Sequence, residues 1–220
     1  MRLKSTLASL LAFVLFAIDC PVARADGARP MLAAATAFHV PGLGAQALAF
    51  ALGAYQRARD EKLVSRPRLT VIDYSLPSTQ KRLWVLDPES GAVLFSERVA
   101  HGRGSGELIA DRFGNRPQSH RTSLGLFRTA ETYQGAHGYS LRIDGLEKGI
   151  NDRARERDIV FHAADYVSES FGLRHGRLGR SYGCPALDPL VASAIIDEIR
   201  GGSLVVALGA NDEARGARED

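Results

Sequence analysis

Residues 69–100 read LTVIDYSLPSTQKRLWVLDPESGAVLFSERVA. Three short apolar runs, LTVIDYS, KRLWVLD and AVLFSERVA, are rich in Val, Leu, Ile, Trp and Phe and are separated by turn residues, which is the pattern of β-strands rather than of helices. Asp87 to Gly91 between the second and third runs is a hairpin signal, because Asp and Gly supply the turn conformations that a strand reversal needs. The same texture continues downstream. SLGLFRT (123–129) and YSLRID (139–144) read as further strands, and DIVFHAAD (158–165) as a buried strand that runs into a loop. HGRGSG (101–106) and the polar stretch up to His120 form a long loop between them.

Helices are expected at both ends of this β-rich block. AQALAFALGAYQRARDEKL places Leu48, Leu52 and Tyr55 at helical spacing and predicts a helix over about 45–63, which SRPR then ends. In LDPLVASAIIDEIRGG, Asp188 is placed to cap, Pro189 suits the first turn, Val191, Ile195 and Ile199 share a face, and Gly201 is placed to terminate. SLVVAL (203–208) follows as a last strand, and residues 209–220 have the composition of a disordered tail. The expected fold class is α+β, predominantly β: a mixed sheet or sandwich with an N-terminal and a C-terminal helix packed on it.

The segments outside the domain are read from composition. MRLK, the apolar run STLASLLAFVLFAI and the A-x-A site Ala23-Arg24-Ala25 have the form of a secretory signal peptide, with cleavage expected after Ala25. The run is short for a membrane span, and no later segment approaches the roughly 20 apolar residues a span requires. Cys20 admits a second reading as a lipidated N-terminus, but Asp19 stands where such sites carry a small neutral residue. The expected organisation is therefore a leader over 1–25, an arm and helix over 26–66, a domain over 67–208 and the tail over 209–220. The formal charge of +3 loses Arg2, Lys4 and Arg24 but also Asp19 with the leader. Too little positive charge remains to argue for nucleic acid, and RARERD (153–158) interleaves both signs as a solvated surface does.

Of the two cysteines, Cys20 belongs to the leader, so Cys184 is left without a partner for a disulfide. Most free cysteines are small buried hydrophobes. Cys184, however, stands between Gly183 and Pro185, ahead of a capped helix, where the chain is shaped to present a side chain. A nucleophilic thiol needs a base or positive surroundings to lower its pKa. His162, at the end of the apolar run IVF with 21 residues between it and Cys184, is the best candidate, held rigidly by a buried strand. Backbone N–H groups of Tyr182, Gly183 and Cys184 are candidates for an oxyanion hole. A zinc site from His162, His175 and Cys184 has acceptable ligand types but lacks paired short spacings and a fourth ligand. HGRGSG lacks the Lys-Ser/Thr ending of a phosphate loop and does not open a helix. Neither a metal nor a cofactor is called for.

GRLGRSYGCPALDP (176–189), preceded by IVFHAADYVS (159–168), resembles the murein L,D-transpeptidase catalytic-domain family, a branch of the exported bacterial cysteine L,D-transpeptidases. TVIDYSLPSTQKRLWVLD, VAHGRGSG, SLGLFRT and TYQGAHGYSLRIDGLEKGINDRARERDIVFHAADYVS appear in the family's order, so the resemblance spans about residues 65–208. It implies a periplasmic or cell-envelope enzyme acting on peptidoglycan stem peptides. Cys184 would attack the carbonyl after the third stem residue, release the terminal D-amino acid and form a thioester, which the amine of a second stem resolves into an L,D cross-link. His162 would be the base and then the proton donor, and Ser181 and Gly183 match positions of the family's Ser/Thr-His-Gly-Cys pattern. The chain departs from that pattern at Tyr182, where the broader superfamily has His, at Ala163, where Gly often follows the base, and after the cysteine, where an Arg is missing. Arg180 is a candidate replacement as carboxylate binder, and His101, His137 and Tyr139 lie in matching blocks as candidate cleft residues. The resemblance also implies acylation by carbapenems. Two alternatives stay open: an L,D-carboxypeptidase or endopeptidase that uses water on the same thioester, and a non-catalytic peptidoglycan-binding module.

Overall fold

The computed structural model describes residues 39–210; the expected leader with its cleavage site, Cys20, the first part of the 26–66 segment and residues 211–220 lie outside that range. The described chain runs α1 (Ala45–Asp60), β1 (Leu69–Asp73), β2 (Leu83–Leu86), β3 (Val93–Glu97), β4 (Gly125–Gly135), β5 (Gly138–Gly145), β6 (Val160–Ala163), a single 3-10 turn, α2 (Glu169–His175), β7 (Ala186–Leu187), α3 (Pro189–Ile199) and β8 (Leu204–Leu208). The eight strands form one mixed sheet in the order β3-β2-β1-β8-β4-β5-β6-β7. β1 with β8 and β6 with β7 are parallel, and the other neighbours are antiparallel. The α+β fold with a helix from each end packed on a β-rich core is as expected.

Every residue of β1, β2 and β8 is buried, because both faces of the sheet are covered there. Leu69, Val71, Trp84, Leu86, Leu204 and Val206 pack with Leu48, Leu52 and Tyr55 of α1. Their alternate neighbours Ile72, Leu83, Val85 and Val205 pack with Phe127, Leu141, Phe161 and the Ile195, Ile196 and Ile199 side chains of α3. Strands covered on both sides read as continuous apolar runs instead of alternating ones, which is how they appear in the sequence. The paired β4–β5 ladder shifts register between Thr129 and Thr132, the kind of irregularity that lets a long hairpin curl. The Thr129 hydroxyl beside it donates to the Ile199 carbonyl at 2.6 Å and ties the end of α3 to the sheet. Among the described residues no helix is long and apolar enough to cross a membrane.

The helix punctuation is as read, with small shifts. The Asp188 side chain accepts from the Leu190 N–H at 2.9 Å with Pro189 in the first turn. Ala192 and Ile196 join Ile195 and Ile199 on the buried face, while Val191 is only half-buried. α1 stops at Asp60, three residues short of the expected Leu63, where Lys62 takes a left-handed φ of 57°. α2 is absent from the sequence reading, although its signals are there: Ser168 accepts from the Phe171 N–H at 3.2 Å and Gly176 closes the helix at φ 69°.

Two loops are joined to place residue 184. Residues 99–102 run beside 181–187 through bridges of Val99 with Leu187 and Gly102 with Ser181. The Ser181 N–H donates to the His101 carbonyl at 3.0 Å, and the Arg103 N–H to the Ser181 carbonyl at 2.8 Å. A Cβ at Gly102 would stand 2.3 Å from the His120 carbonyl and 2.9 Å from the Gly183 Cα, so the approach requires glycine. Beneath this junction Arg82 is fully buried. It donates through Nε and Nη2 to the Val99 carbonyl at 3.0 and 2.8 Å, through Nη1 to the Leu76 carbonyl at 2.9 Å, and through Nη2 to His101 Nδ1 at 2.8 Å. A guanidinium only donates, so His101 carries its proton on Nε2, which faces the Gly106 carbonyl at 3.3 Å.

Two predictions follow from this packing. Trp84 has no exposed surface and its indole N–H reaches the Pro41 carbonyl at 3.1 Å. Trp84→Ala is expected to cost about 3–5 kcal/mol in urea unfolding, whereas Leu190→Ala, on the exposed side of α3, should stay within about 0.5 kcal/mol. Burial, and then the Arg82 charge, push the His101 pKa down to about 4. The unfolded chain therefore takes up a proton that the folded one refuses, so this contribution to stability is complete above about pH 6.5 and is lost as pH falls from there toward 4. Unfolding titrations between pH 7 and 4.5 should show that slope, and His101→Gln should flatten it.

Candidate active site

Cys184 lies just ahead of β7, on a turn that Ser181 holds from inside. The Ser181 hydroxyl donates to the Cys184 carbonyl at 2.7 Å and accepts from the Gly183 N–H at 3.0 Å. Gly183 sits at φ 127°, and a Cβ there would approach the Arg121 carbonyl and Ile159 Cδ1 at 2.9 Å. The Gly183 N–H is thus engaged. Among the described residues the Tyr182 and Cys184 N–H groups donate no hydrogen bond.

The sulfur is half-buried and faces the Asp158 carbonyl at 3.4 Å. Burial pushes the thiol pKa up, only partly offset by the Val160 N–H and the Arg157 charge. Two residues along β6 from Val160 is His162, which registers with Ala186 on β7 and with Ser140 on β5. Its ring is buried, and Nδ1 meets the Ala163 carbonyl at 2.8 Å. A carbonyl only accepts, so Nδ1 carries the proton and Nε2 keeps the lone pair. Burial also pushes the His162 pKa below its ordinary value. Thiol and imidazole therefore both favour their neutral forms, and no hydrogen bond joins them among the described residues.

The remaining candidate residues divide by location. His137, at the tip of the β4–β5 hairpin, is exposed and stacks on His162 with ring centroids 4.4 Å apart. Tyr139 turns toward α3, where its hydroxyl donates to Asp197 at 2.8 Å. His101 is fully buried with both ring nitrogens engaged, so it braces the HGRGSG loop from within. Arg180 already holds a carboxylate: its guanidinium donates to Glu107 and to the Gly106 carbonyl, and Arg177 pairs with the same Glu107 at 3.0 Å. His175 lies at the end of α2 against Phe171, with ring centroids 4.2 Å apart. Among the described residues no three His, Cys, Asp or Glu side chains converge as a metal site would need.

Two side-chain arrangements near the thiol were not read from the sequence. Arg157, within a segment that reads as solvated surface, turns inward and donates to the Gly114 carbonyl at 2.9 Å, the Ser123 hydroxyl at 2.6 Å and the Arg121 carbonyl. Its neighbours Arg153, Arg155 and Glu156 are exposed as expected. Tyr182 is 63% exposed. Its ring lies 4.3 Å from the Arg103 guanidinium and 4.4 Å from the His120 ring, so an imidazole stands beside position 182 although the residue itself is not His. Neither arrangement has a local sequence signal, since both depend on loops brought together from distant positions.

The family model described as the L,D-transpeptidase catalytic domain matches residues 40–208, which takes in α1 as well as the whole sheet. No curated protein matches the sequence. Among solved structures, the chain is similar to an L,D-transpeptidase from Mycobacterium smegmatis at 16% identity and a TM-score of 0.39, over 64% of this chain and 58% of that one. An L,D-transpeptidase from Stackebrandtia nassauensis is 14% identical with a TM-score of 0.38, over 73% and 66%. A helical cell shape determining protein from Campylobacter jejuni is 12% identical with a TM-score of 0.41, over 74% and 57%. The chain thus spans little more than half the length of the first and third of these. The match over 40–208 covers most of the chain and every described strand, and by it the chain belongs to the L,D-transpeptidase catalytic domain family.

Proposed function

We propose that this chain is an exported cysteine acyltransferase that acts on peptidoglycan stem peptides in the cell envelope, with Cys184 as nucleophile and His162 as general base. The observation that carries the reading is the orientation of the His162 ring. Its Nδ1–H is held by the Ala163 carbonyl at 2.8 Å, which leaves Nε2 as the basic nitrogen, two residues along β6 from the N–H that meets the sulfur. A leader of secretory form over 1–25 supports export.

In the proposed reaction the Cys184 proton passes to His162 Nε2 as the sulfur attacks the carbonyl carbon after the third stem residue. The new negative charge on oxygen is received by the Tyr182 and Cys184 N–H groups, which donate to no other group among the described residues. The carbon–nitrogen bond then breaks, the departing nitrogen takes the proton from His162, and the terminal D-amino acid leaves behind a thioester. The amine of a second stem attacks that thioester, gives its proton to His162, and the thiol is regenerated with that proton as the cross-link forms. Because burial favours the neutral form of both groups, proton transfer accompanies attack instead of preceding it.

Incubation with a carbapenem is expected to give one covalent adduct per chain by intact mass, absent in Cys184→Ala. His162→Ala should slow acylation by about 100-fold or more; an unchanged rate would remove His162 from the base role. Since the His162 pKa lies below the ordinary imidazole value, the acid limb of the acylation rate should fall below about pH 6.5. Muropeptides bearing tetrapeptide stems should yield cross-linked dimers, and tripeptide as sole product would move the assignment to hydrolysis.

A further inference from the structure

The β4–β5 hairpin reverses through Ala136 and His137, between the paired Gly135 and Gly138. Gly138 takes a left-handed φ of 73°, a conformation that glycine adopts without strain and that suits the residue closing such a turn. The turn is anchored on its β5 side. The Ser140 hydroxyl donates back to the Gly138 carbonyl at 3.1 Å, and the Tyr139 hydroxyl donates to Asp197 of α3 at 2.8 Å. His137 is therefore presented from a short, braced reversal and not from a long surface loop.

The His137 side chain is exposed, and among the described residues its ring makes no hydrogen bond. It lies on the ring of His162, with centroids 4.4 Å apart and an interplanar angle of 26°. Near-parallel rings at that separation are in stacking contact. His162 is itself held by one hydrogen bond, from Nδ1 to the Ala163 carbonyl at 2.8 Å, while Ser140 and Ala186 flank it in the sheet. A single hydrogen bond fixes one edge of an imidazole and leaves its plane free to tilt about that bond. A second ring laid on its face removes the tilt.

We infer that His137 is a positioning residue for His162: stacked on the imidazole from the hairpin turn, it sets the plane in which Nε2 presents its lone pair. The inference rests on the reading of His162 as general base. A base must meet the proton it takes at hydrogen-bond distance and along its lone pair, so a ring free to tilt spends part of its time misaligned. In this role His137 takes no proton and touches no substrate; it acts through His162 alone. That differs from lining a cleft, the role for which His137 was the candidate by sequence. It accounts for an exposed histidine that forgoes hydrogen bonds and packs its ring on a buried one.

The test is acylation of the full chain by a carbapenem, followed by intact mass over a range of concentrations, so that the maximal rate and the half-saturating concentration are read separately. His137→Ala should lower the maximal rate by about tenfold, within the roughly 100-fold that misplacing a reacting group costs, and leave the half-saturating concentration unchanged. His137→Phe keeps a flat ring without a nitrogen and should stay within about threefold of the parent rate. In the His162→Ala background, His137→Ala should have no further effect, because a residue that acts through another contributes nothing once that one is gone. Melting temperatures of both His137 variants should match the parent, the position being exposed. His137→Phe as slow as His137→Ala, a raised half-saturating concentration at an unchanged maximal rate, a lowered melting temperature, or a further loss on top of His162→Ala overturns the positioning role. A slow His162→Ala beside a His137→Ala at the parent rate overturns that role alone, whereas His162→Ala at the parent rate overturns the base reading on which it rests.

Discussion

A guanidinium with no exposed surface, that of Arg82, organises the part of the molecule where chemistry is proposed. It caps the Val99 and Leu76 carbonyls and fixes the His101 ring, and so holds the 99–103 backbone against 181–187. A buried cation is tolerated only when its donors are satisfied, and here carbonyls and an imidazole do that work without a carboxylate. Burial still pushes its pKa down to about 10, leaving it charged at neutral pH. The loop that presents Cys184 is therefore attached to the core through polar contacts rather than through apolar packing alone.

That attachment sets the electrostatic character of the thiol turn. Cys184 and His162 are both driven toward neutrality by burial, and the Arg157 charge only moderates the effect on the sulfur. A pair of this kind differs from a preformed thiolate and imidazolium. Under the proposed reading the sulfur stays a thiol until a carbonyl arrives to take up the charge. Ser181 acts within this scheme as a brace: its hydroxyl donates to the Cys184 carbonyl and occupies the Gly183 N–H, while among the described residues the amides on either side of Gly183 donate no hydrogen bond.

The cations around the thiol were the least legible part of the site. Arg180 is nearest in sequence, yet Glu107, 73 residues earlier, neutralises it. Arg157 lies in a run whose alternating charges describe three exposed neighbours correctly and itself incorrectly, because its side chain turns in to carbonyls of the 114–121 loop. Ion-pair partners are chosen in space, and a charge pattern along the chain carries no information about which partner is already taken.

What the sequence determined by itself is seven of the eight strands, the two long helices and a lone cysteine set between a glycine and a proline. Those are encoded locally, in apolar runs, capping residues and a glycine and proline flanking one cysteine, and local codes survive without tertiary context. The tertiary structure alone decided which of the candidate residues face solvent and which are buried as braces. Those outcomes follow from the insertion of β8 between β1 and β4 and the joining of 99–103 to 181–187, contacts between positions too far apart in the chain for composition or spacing to specify.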